Sequence, residues 1–157
     1  MHSLQNQSKH IWLNNLIFLT QTDTTVGFLS KNPKILNLAK RRDENQKILK
    51  VVSSFHELKN QTRVPNRFKR FLRHSKKATF IYPNGDSFRV VFDKQHKEFL
   101  KKFGSFYSTS ANENKKSFDL EYAISKCDCV VEDSRGFFED TPSKIYKINR
   151  TQIKKIR

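Results

Sequence analysis

Hydroxyl and amide side chains crowd four short polar turns of this chain, at residues 20–27, 40–47, 108–112 and 141–144, each at the end of a predicted strand or helix. Thr22, Thr24, Ser108, Ser110, Asn112 and Ser143 are groups of the kind that hydrogen-bond phosphate oxygens or an amino-acid head group, and Lys40 and Arg42 add charge to neutralise them. Turns so placed can converge on one cavity, although each taken alone is more often only a cap or a turn. No Walker A sequence, Gly-x-Gly-x-x-Gly, His-Glu-x-x-His or Gly-x-Ser-x-Gly occurs. A P-loop, a dinucleotide fold, a zincin and a nucleophile elbow are therefore unsupported. His2, His10, His56, His74 and His96 have no metal-ligand spacing and read as surface residues.

A second constellation is purely basic. From Pro65, the apolar residues Phe68, Phe71 and Leu72 fall at helical spacing, while Arg63, Arg67, Lys69, Arg70, Arg73, Lys76 and Lys77 surround the opposite side. An RNA-binding face and a merely solvated one both fit.

The elements that carry these groups follow from periodicity and punctuation. Residues 16–19 read as a buried strand entering the Thr-rich turn, and Pro33 opens a short helix that delivers Lys40-Arg41-Arg42. A strand at 48–52 is followed by a helix capped by Ser53 or Ser54. Strands at 78–82 and 87–92 flank Pro83-Asn84-Gly85-Asp86, a strong hairpin signal. A helix from His96 to Phe103 stops at Gly104, a strand runs from Phe106 into 108–112, and a helix at 118–125 takes Ser117 as its cap. Short strands at 129–131 and 145–148 complete the pattern. Some strands join by hairpins and others through helices, which predicts one α/β domain over residues 1–157, a twisted mixed sheet of parallel and antiparallel strands with packed helices. Residues 1–12 are polar and read as a loose leader to it.

Composition agrees with a folded chain that handles anions. Its 157 residues are 36% apolar and include 14 Phe, enough to close a core. Lys plus Arg number 31 against 15 Asp plus Glu, a formal charge of +16 that concentrates nucleotides or RNA. The same richness in Lys, Asn, Ile and Phe also arises in an AT-rich genome, where the charge is solvated surface. Cys127 and Cys129 are too close for an ordinary disulfide and lack a second pair for zinc, so they read as buried thiols of a reducing compartment. The apolar run at 11–19 is short, broken by Asn14 and Asn15, and lacks a basic leader, so the expected location is cytoplasmic, away from membranes.

The order of the turns resembles the YrdC-like threonylcarbamoyl-AMP synthases from about residue 17 to residue 157. Gln21-Thr22-Asp23-Thr24-Thr25-Val26-Gly27-Phe28 is similar to the family's Pro-Thr-Asp-Thr-Val-Tyr-Gly-Leu. Lys40-Arg41-Arg42 matches its Lys-x-Arg, and Ser108-Thr109-Ser110-Ala111-Asn112 is its most specific pentapeptide unchanged. Arg89-Val90 stands where the family has an Arg-x-Pro strand, and Pro142-Ser143-Lys144-Ile145 resembles its Pro-Ser-Thr-Ile. The family's Trp-Pro-Gly-Pro-Leu-Thr is here His74-Ser75-Lys76-Lys77-Ala78-Thr79, and Gln21, Lys47 and Val91 replace prolines, which predicts a looser threonine end.

The resemblance implies a central open cavity in which Lys40, Arg42, Ser110, Asn112, Ser143 and Arg157 bind ATP, and Thr22, Thr24 and Arg89 hold threonine. It implies synthesis of threonylcarbamoyl-AMP and pyrophosphate from L-threonine, bicarbonate and ATP, with a partner transferase passing the group to an adenosine of tRNA. No residue need act as a covalent nucleophile, since the reaction asks for positioning and charge neutralisation. Mg²⁺ is expected to travel with the ATP phosphates, because the sequence offers no tight carboxylate cluster as a metal site. A catalytically degenerate nucleotide- or double-stranded-RNA-binding protein is the alternative, with Arg63, Arg67, Arg70 and Arg73 as its RNA contacts.

Overall fold

The computed structural model describes residues 11–157, so the expectation of a loose leader falls, for residues 1–10, outside the described residues. Residues 11 and 12 depart from it: Ile11–Asn15 is a 3-10 turn pinned by Leu13, which is buried against the sheet.

The described residues form one nine-stranded mixed sheet. Its strands are β1 (Phe18–Gln21), β2 (Val26–Ser30), β3 (Lys50–Val52), β4 (Ala78–Ile81), β5 (Ser87–Val90), β6 (Phe106–Ser110), β7 (Cys129–Val131), β8 (Lys144–Ile148) and β9 (Ile153–Lys155). They lie in the order β7-β1-β2-β6-β3-β5-β4-β8-β9. Three pairs are parallel, β1 with β7, β3 with β5 and β4 with β8, and the others are antiparallel. Five α-helices accompany the sheet among the described residues: α1 (Pro33–Ala39), α2 (Phe55–Gln61), α3 (Lys69–His74), α4 (Lys94–Phe103) and α5 (Leu120–Lys126). None is long and apolar enough to cross a membrane.

Successive strand residues serve opposite faces, as the two-residue period of a strand requires. Phe18, Leu29 and Val51 join Leu100 of α4 and Leu13 in one core cluster. Leu19 and Phe28 face the other way, onto Leu36 of α1 and Ala123 of α5. Val52, Phe80 and Phe88 pack on Leu58 of α2 and Leu72 of α3. Burial on both faces explains why the run at 16–19 reads as continuous rather than alternating; β2, for which the sequence reading had no strand, is buried on both faces too.

The helix starts follow side-chain acceptors. Ser54 caps α2, its Oγ accepting the Glu57 N–H at 3.1 Å, while Glu57 Oε2 accepts from Ser53 N at 2.7 Å. The final helix starts two residues later than its expected cap at Ser117, because Asp119 accepts the Tyr122 N–H at 3.1 Å and Phe118 N is drawn away to Glu139 Oε1. At Gly104 (φ 84°) α4 ends as expected, and Lys31 Nζ donates to the Phe103 and Ser105 carbonyls just beyond it. The β4–β5 hairpin closes on Gly85 at φ 85°.

Three further expectations change. The helix from Pro65 is broken into a 3-10 turn, Asn66–Phe68, and the short α3. His96 is a fully buried residue of α4, held there with Leu100 on the inner side of an amphipathic helix, rather than a surface group. Cys127 and Cys129 are free but only half-buried, since β7 is an edge strand with one side uncovered.

Candidate functional site

The β1–β2 connection is a four-residue turn built on its own hydroxyl. Thr22 Oγ1 accepts the backbone N–H groups of Thr24 and Thr25, both at 3.2 Å, and donates to the Thr25 carbonyl at 2.6 Å. This locks the turn and presents Asp23 and Thr24 to the strand ends beside it. Gly27 is obligatory behind it, because a Cβ there would lie 2.7 Å from Thr22 Cγ2 and 3.3 Å from the Thr109 carbonyl.

Arg89, on β5, is buried against this turn. Its Nη1 donates to Asp23 Oδ1 at 2.9 Å and Thr24 Oγ1 at 3.2 Å, and its Nε and Nη2 both donate to Thr79 Oγ1. Thr79 Oγ1 lies 3.3 Å from Ser143 Oγ, and Arg157 donates to the Ser143 carbonyl at 3.0 Å and hydroxyl at 3.3 Å. A continuous polar line thus runs Asp23–Arg89–Thr79–Ser143–Arg157, with a guanidinium on either side of a hydroxyl pair.

A cavity of ≈ 270 Å³ opens on this line. Thr22, Thr24, Arg89, Ser110, Ser143 and Arg157, predicted from the sequence, all line it, as does Ser108. Its lining includes two arginines and no carboxylate, so its field suits an anion. Lys40, Arg42 and Asn112 are not in the lining. Lys40 Nζ is buried behind Ser110, donating to its carbonyl at 3.0 Å and to the backbone and side-chain oxygens of Asn112. Arg42 donates to Thr109 Oγ1 on the same strand, a lining residue of the cavity, and to Asn114 Oδ1 beyond the strand's end. Burial first, then the Arg42 guanidinium, pushes the Lys40 ammonium down to about 8, so it stays charged at neutral pH.

The chain end of α1 fixes both cations. Arg41 N donates to the Leu38 carbonyl and Arg42 N to that of Asn37, a Schellman closure with Arg41 at φ 53° where glycine is usual. Asn37, wholly buried, then ties down the next loop by donating to the Glu44 and Gln46 carbonyls.

Asp23 and His96 back the site without lining the cavity, Asp23 through Arg89 and His96 through Asp23, although sequence reading left them without a role. Asp23 Oδ2 and both imidazole nitrogens of His96 are buried without hydrogen-bond partners. His96 Nδ1 lies 3.9 Å from Asp23 Oδ1, but burial holds its pKa down at about 4, so the contact at neutral pH is with a neutral ring. A polar aspartate inside a buried turn was the signal for the first; α4's apolar face at position 96 was the signal for the second.

The predicted RNA contacts separate. Arg63 and Arg67 line a cleft of ≈ 550 Å³ at the far edge of the sheet, Arg73 stacks over Phe55 at 4.9 Å, and Arg70 is exposed on α3.

No protein-family profile and no curated protein matches this sequence. Solved structures do. The MTH1692 protein of Methanobacterium thermoautotrophicum aligns at TM-score 0.63 and 20% identity, over 89% of this chain and 79% of that one. E. coli YciO aligns at 0.75 and 14% identity, over 100% and 89%. P. abyssi Sua5, solved in complex with L-threonine, aligns at 0.74 and 13% identity over 99% of this chain, which spans about half (54%) of the Sua5 chain. Sequence identities this low carry the architecture alone, and the architecture is the YrdC-like fold that Sua5 and YciO share.

Proposed function

We propose that this protein makes threonylcarbamoyl-AMP from L-threonine, bicarbonate and ATP. The observation that carries the reading is the pair of guanidiniums, Arg89 and Arg157, facing one small cavity across the Thr79 and Ser143 hydroxyls. In this reading the threonine carboxylate sits toward Arg89 and Thr24, and the ATP phosphates toward Ser110, Ser143 and Arg157, with Lys40, Arg42 and Asn112 shaping the strand end behind them. The threonine amine adds to bicarbonate with loss of water. A carbamate oxygen then attacks the α-phosphorus of ATP, and the bond to pyrophosphate breaks. Each step develops or moves negative charge, which preorganised guanidiniums and hydroxyls stabilise without forming a covalent bond.

The cavity residues do not fit a protein-held divalent ion. The lining holds no aspartate or glutamate, Asp23 is committed to Arg89, and no cluster of three or more metal-ligating side chains exists among the described residues. Mg²⁺ enters this reading as part of the ATP substrate. The product would pass to a tRNA-modifying partner enzyme.

The test is pyrophosphate release by purified protein with ATP, Mg²⁺ and bicarbonate, comparing threonine, serine and no amino acid. Threonine-dependent release is expected, and its loss in Arg89→Lys and Ser143→Ala. ATP binding without release favours a degenerate nucleotide-binding relative instead, a reading supported by Lys40 and Asn112 being engaged with each other rather than facing the cavity.

A further inference from the structure

The two edges of the sheet are open and oppositely charged. Among the described residues β7 and β9 have one neighbouring strand each, so each leaves a row of backbone groups unpaired. Cys129 N donates to the Ile17 carbonyl at the entry to β1, so strand alternation turns the N–H and C=O of Val130 outward. At the other edge Asn149 N donates to the Gln152 carbonyl and Ile156 N to that of Ile145, which turns the backbone groups of Ile153 and Lys155 outward. Residues 119–133, which contain α5 and β7, hold five carboxylate side chains and one lysine. Residues 144–157, which contain β8 and β9, hold six lysines and arginines and no carboxylate side chain. On a chain of formal charge +16 the first edge is a local reversal of sign. Among the described residues, Glu121, Asp128, Glu132, Lys154 and Lys155 are exposed and in no ion pair.

Both edges also present apolar side chains on the same face of the sheet. Val130 stands beside Leu19 and so faces α5, where Leu120 and Ile124 lie one helical turn apart, and all three are exposed. Ile153 stands beside Ile148, on the face that packs α2 and α3. The register makes these one face: Tyr107, packed in the Leu19 cluster, pairs with Lys50, and Val52, two residues further on, packs in the Ile148 cluster. A second copy added at the edge with Val130 opposite Ile153 brings Lys155 opposite Glu132 if the strands run parallel, and opposite Asp128 if they run antiparallel. Apolar meets apolar and cation meets carboxylate in either direction. Pairing β7 with β7 instead faces carboxylates with carboxylates, and pairing β9 with β9 faces lysines with lysines.

We infer that this protein associates with itself head to tail, β7 of one copy adding to β9 of the next, independently of the cavity. Edge lysines ordinarily deter strand addition, but the same charges attract an edge that is acidic. The contact joins two different surfaces, so it grows open chains rather than closing on a symmetric dimer. Each edge strand has only three residues, which makes the contact small, transient and sensitive to salt.

The test is sedimentation equilibrium of the purified chain over a range of concentrations at low and high salt. The mean mass rises above that of the monomer with concentration at low salt and returns to it at high salt. Lys154→Glu/Lys155→Glu sets carboxylates against carboxylates and weakens association by roughly ten- to a hundredfold. Val130→Pro removes the outward N–H of β7, keeps the bonds of β7 to β1, and likewise leaves a monomer. Lys101→Glu/Lys102→Glu on α4 makes the same charge change away from both edges and leaves association unaltered. The decisive arm mixes the first two variants: one retains a live β7 and the other a live β9, so together they form a dimer and nothing larger, a rescue that misfolded variants cannot give. A parent that stays monomeric at low salt, association that persists in either edge variant alone, equal loss in the α4 control, or a mixture without the capped dimer each overturns the inference.

Discussion

Removing Arg89 tests whether the cavity floor is held by a buried ion pair. Arg89 and Asp23 are 8% and 4% exposed and 2.9 Å apart. In Arg89→Leu, Asp23 Oδ1 loses both its guanidinium partner and the charge that compensates it, while Oδ2 already has no partner. Thr79 Oγ1 loses two donors in the same step. Breaking such a pair costs about 3 to 5 kcal/mol, because an uncompensated charge remains buried. For a chain of this size that is a fall in Tm of roughly 6 to 20 °C. Asp23→Asn costs less, since the guanidinium it strands borders the cavity and water can reach it. The double variant Asp23→Asn/Arg89→Leu is more stable than Arg89→Leu alone, giving a coupling energy of several kcal/mol in the double-mutant cycle. The same variant carries a pH signature. Arg89 is one of the groups that lowers the His96 pKa, so its removal lets His96 take up a proton beside Asp23 more readily, and the stability deficit narrows as pH falls from neutral. Denaturant titration and calorimetry read both effects. A single-variant cost below about 1 kcal/mol, or a double variant no better than Arg89→Leu, would refute the view that the pair is desolvated and mutually compensating.

Wild-type stability should fall as pH drops from about 6.5 toward 4, by about 3 kcal/mol in total, because the unfolded state protonates His96 while the folded state, with its pKa lowered to about 4, does not; the slope in that window should largely vanish in His96→Gln. Gly27→Ala should cost about 1 to 3 kcal/mol and abolish any threonine-dependent activity, since its Cβ must displace Thr22 or part β2 from β6; thermal unfolding together with pyrophosphate release measures both. ATP affinity, followed by calorimetric titration between pH 7 and 9.5, should weaken as pH rises through about 8, where Lys40 loses its charge; a flat profile would mean that the ammonium serves only to hold β6.

The turn chemistry was legible in the sequence because it is local. Asn84-Gly85 could only close a hairpin, Gly104 could only stop α4, and the hydroxyl-rich turns sit where the strands end. What stayed hidden depends on distant partners. Arg41 takes a left-handed conformation that sequence assigns to glycine, where the buried Asn37, four residues downstream of α1's start, tethers the loop that follows. His96 shares helical spacing with Leu100, four residues on, but only packing of α4 against the sheet decides that this polar residue turns inward with it. The basic run at 63–77 looked like one helical face, but Asn66–Phe68 breaks the register, and Arg67 bonds to the Thr151 carbonyl, 84 residues away in sequence, in a cleft that Arg63 also lines. Lys40 was expected among the ATP contacts; its ammonium reaches the Ser110 carbonyl without lining the cavity, an approach that spacing cannot distinguish.

The prolines that the resemblance leads one to expect and the sequence lacks raise the question of what holds this end of the cavity in place of restricted φ angles. Four of these five positions have a partner in another element, whereas the fifth, Ser75, bonds within its own helix, its Oγ donating to the Phe71 carbonyl at 2.6 Å. Gln21 Oε1 accepts the Phe138 N–H at 3.0 Å from within the core, and Val91 N donates to the Val52 carbonyl at 3.0 Å, a bond that proline cannot make. Lys77, at φ 50°, pairs with Asp140 at 2.6 Å, and Lys47 with Asp86 at 2.7 Å. The two kinds of tether differ in worth. Exposed ion pairs contribute about 0 to 1 kcal/mol and are screened by salt, whereas the buried amide and backbone bonds are neither screened nor easily replaced by water. The segment between β7 and β8 is therefore anchored at its Phe138 end by Gln21 whatever the ionic strength, and at its Asp140 end only as firmly as Lys77 allows. Since Pro142 and Ser143 follow directly and line the cavity, the looseness expected from the missing prolines is confined to one rim, next to Ser143, and does not reach the Asp23–Arg89 floor.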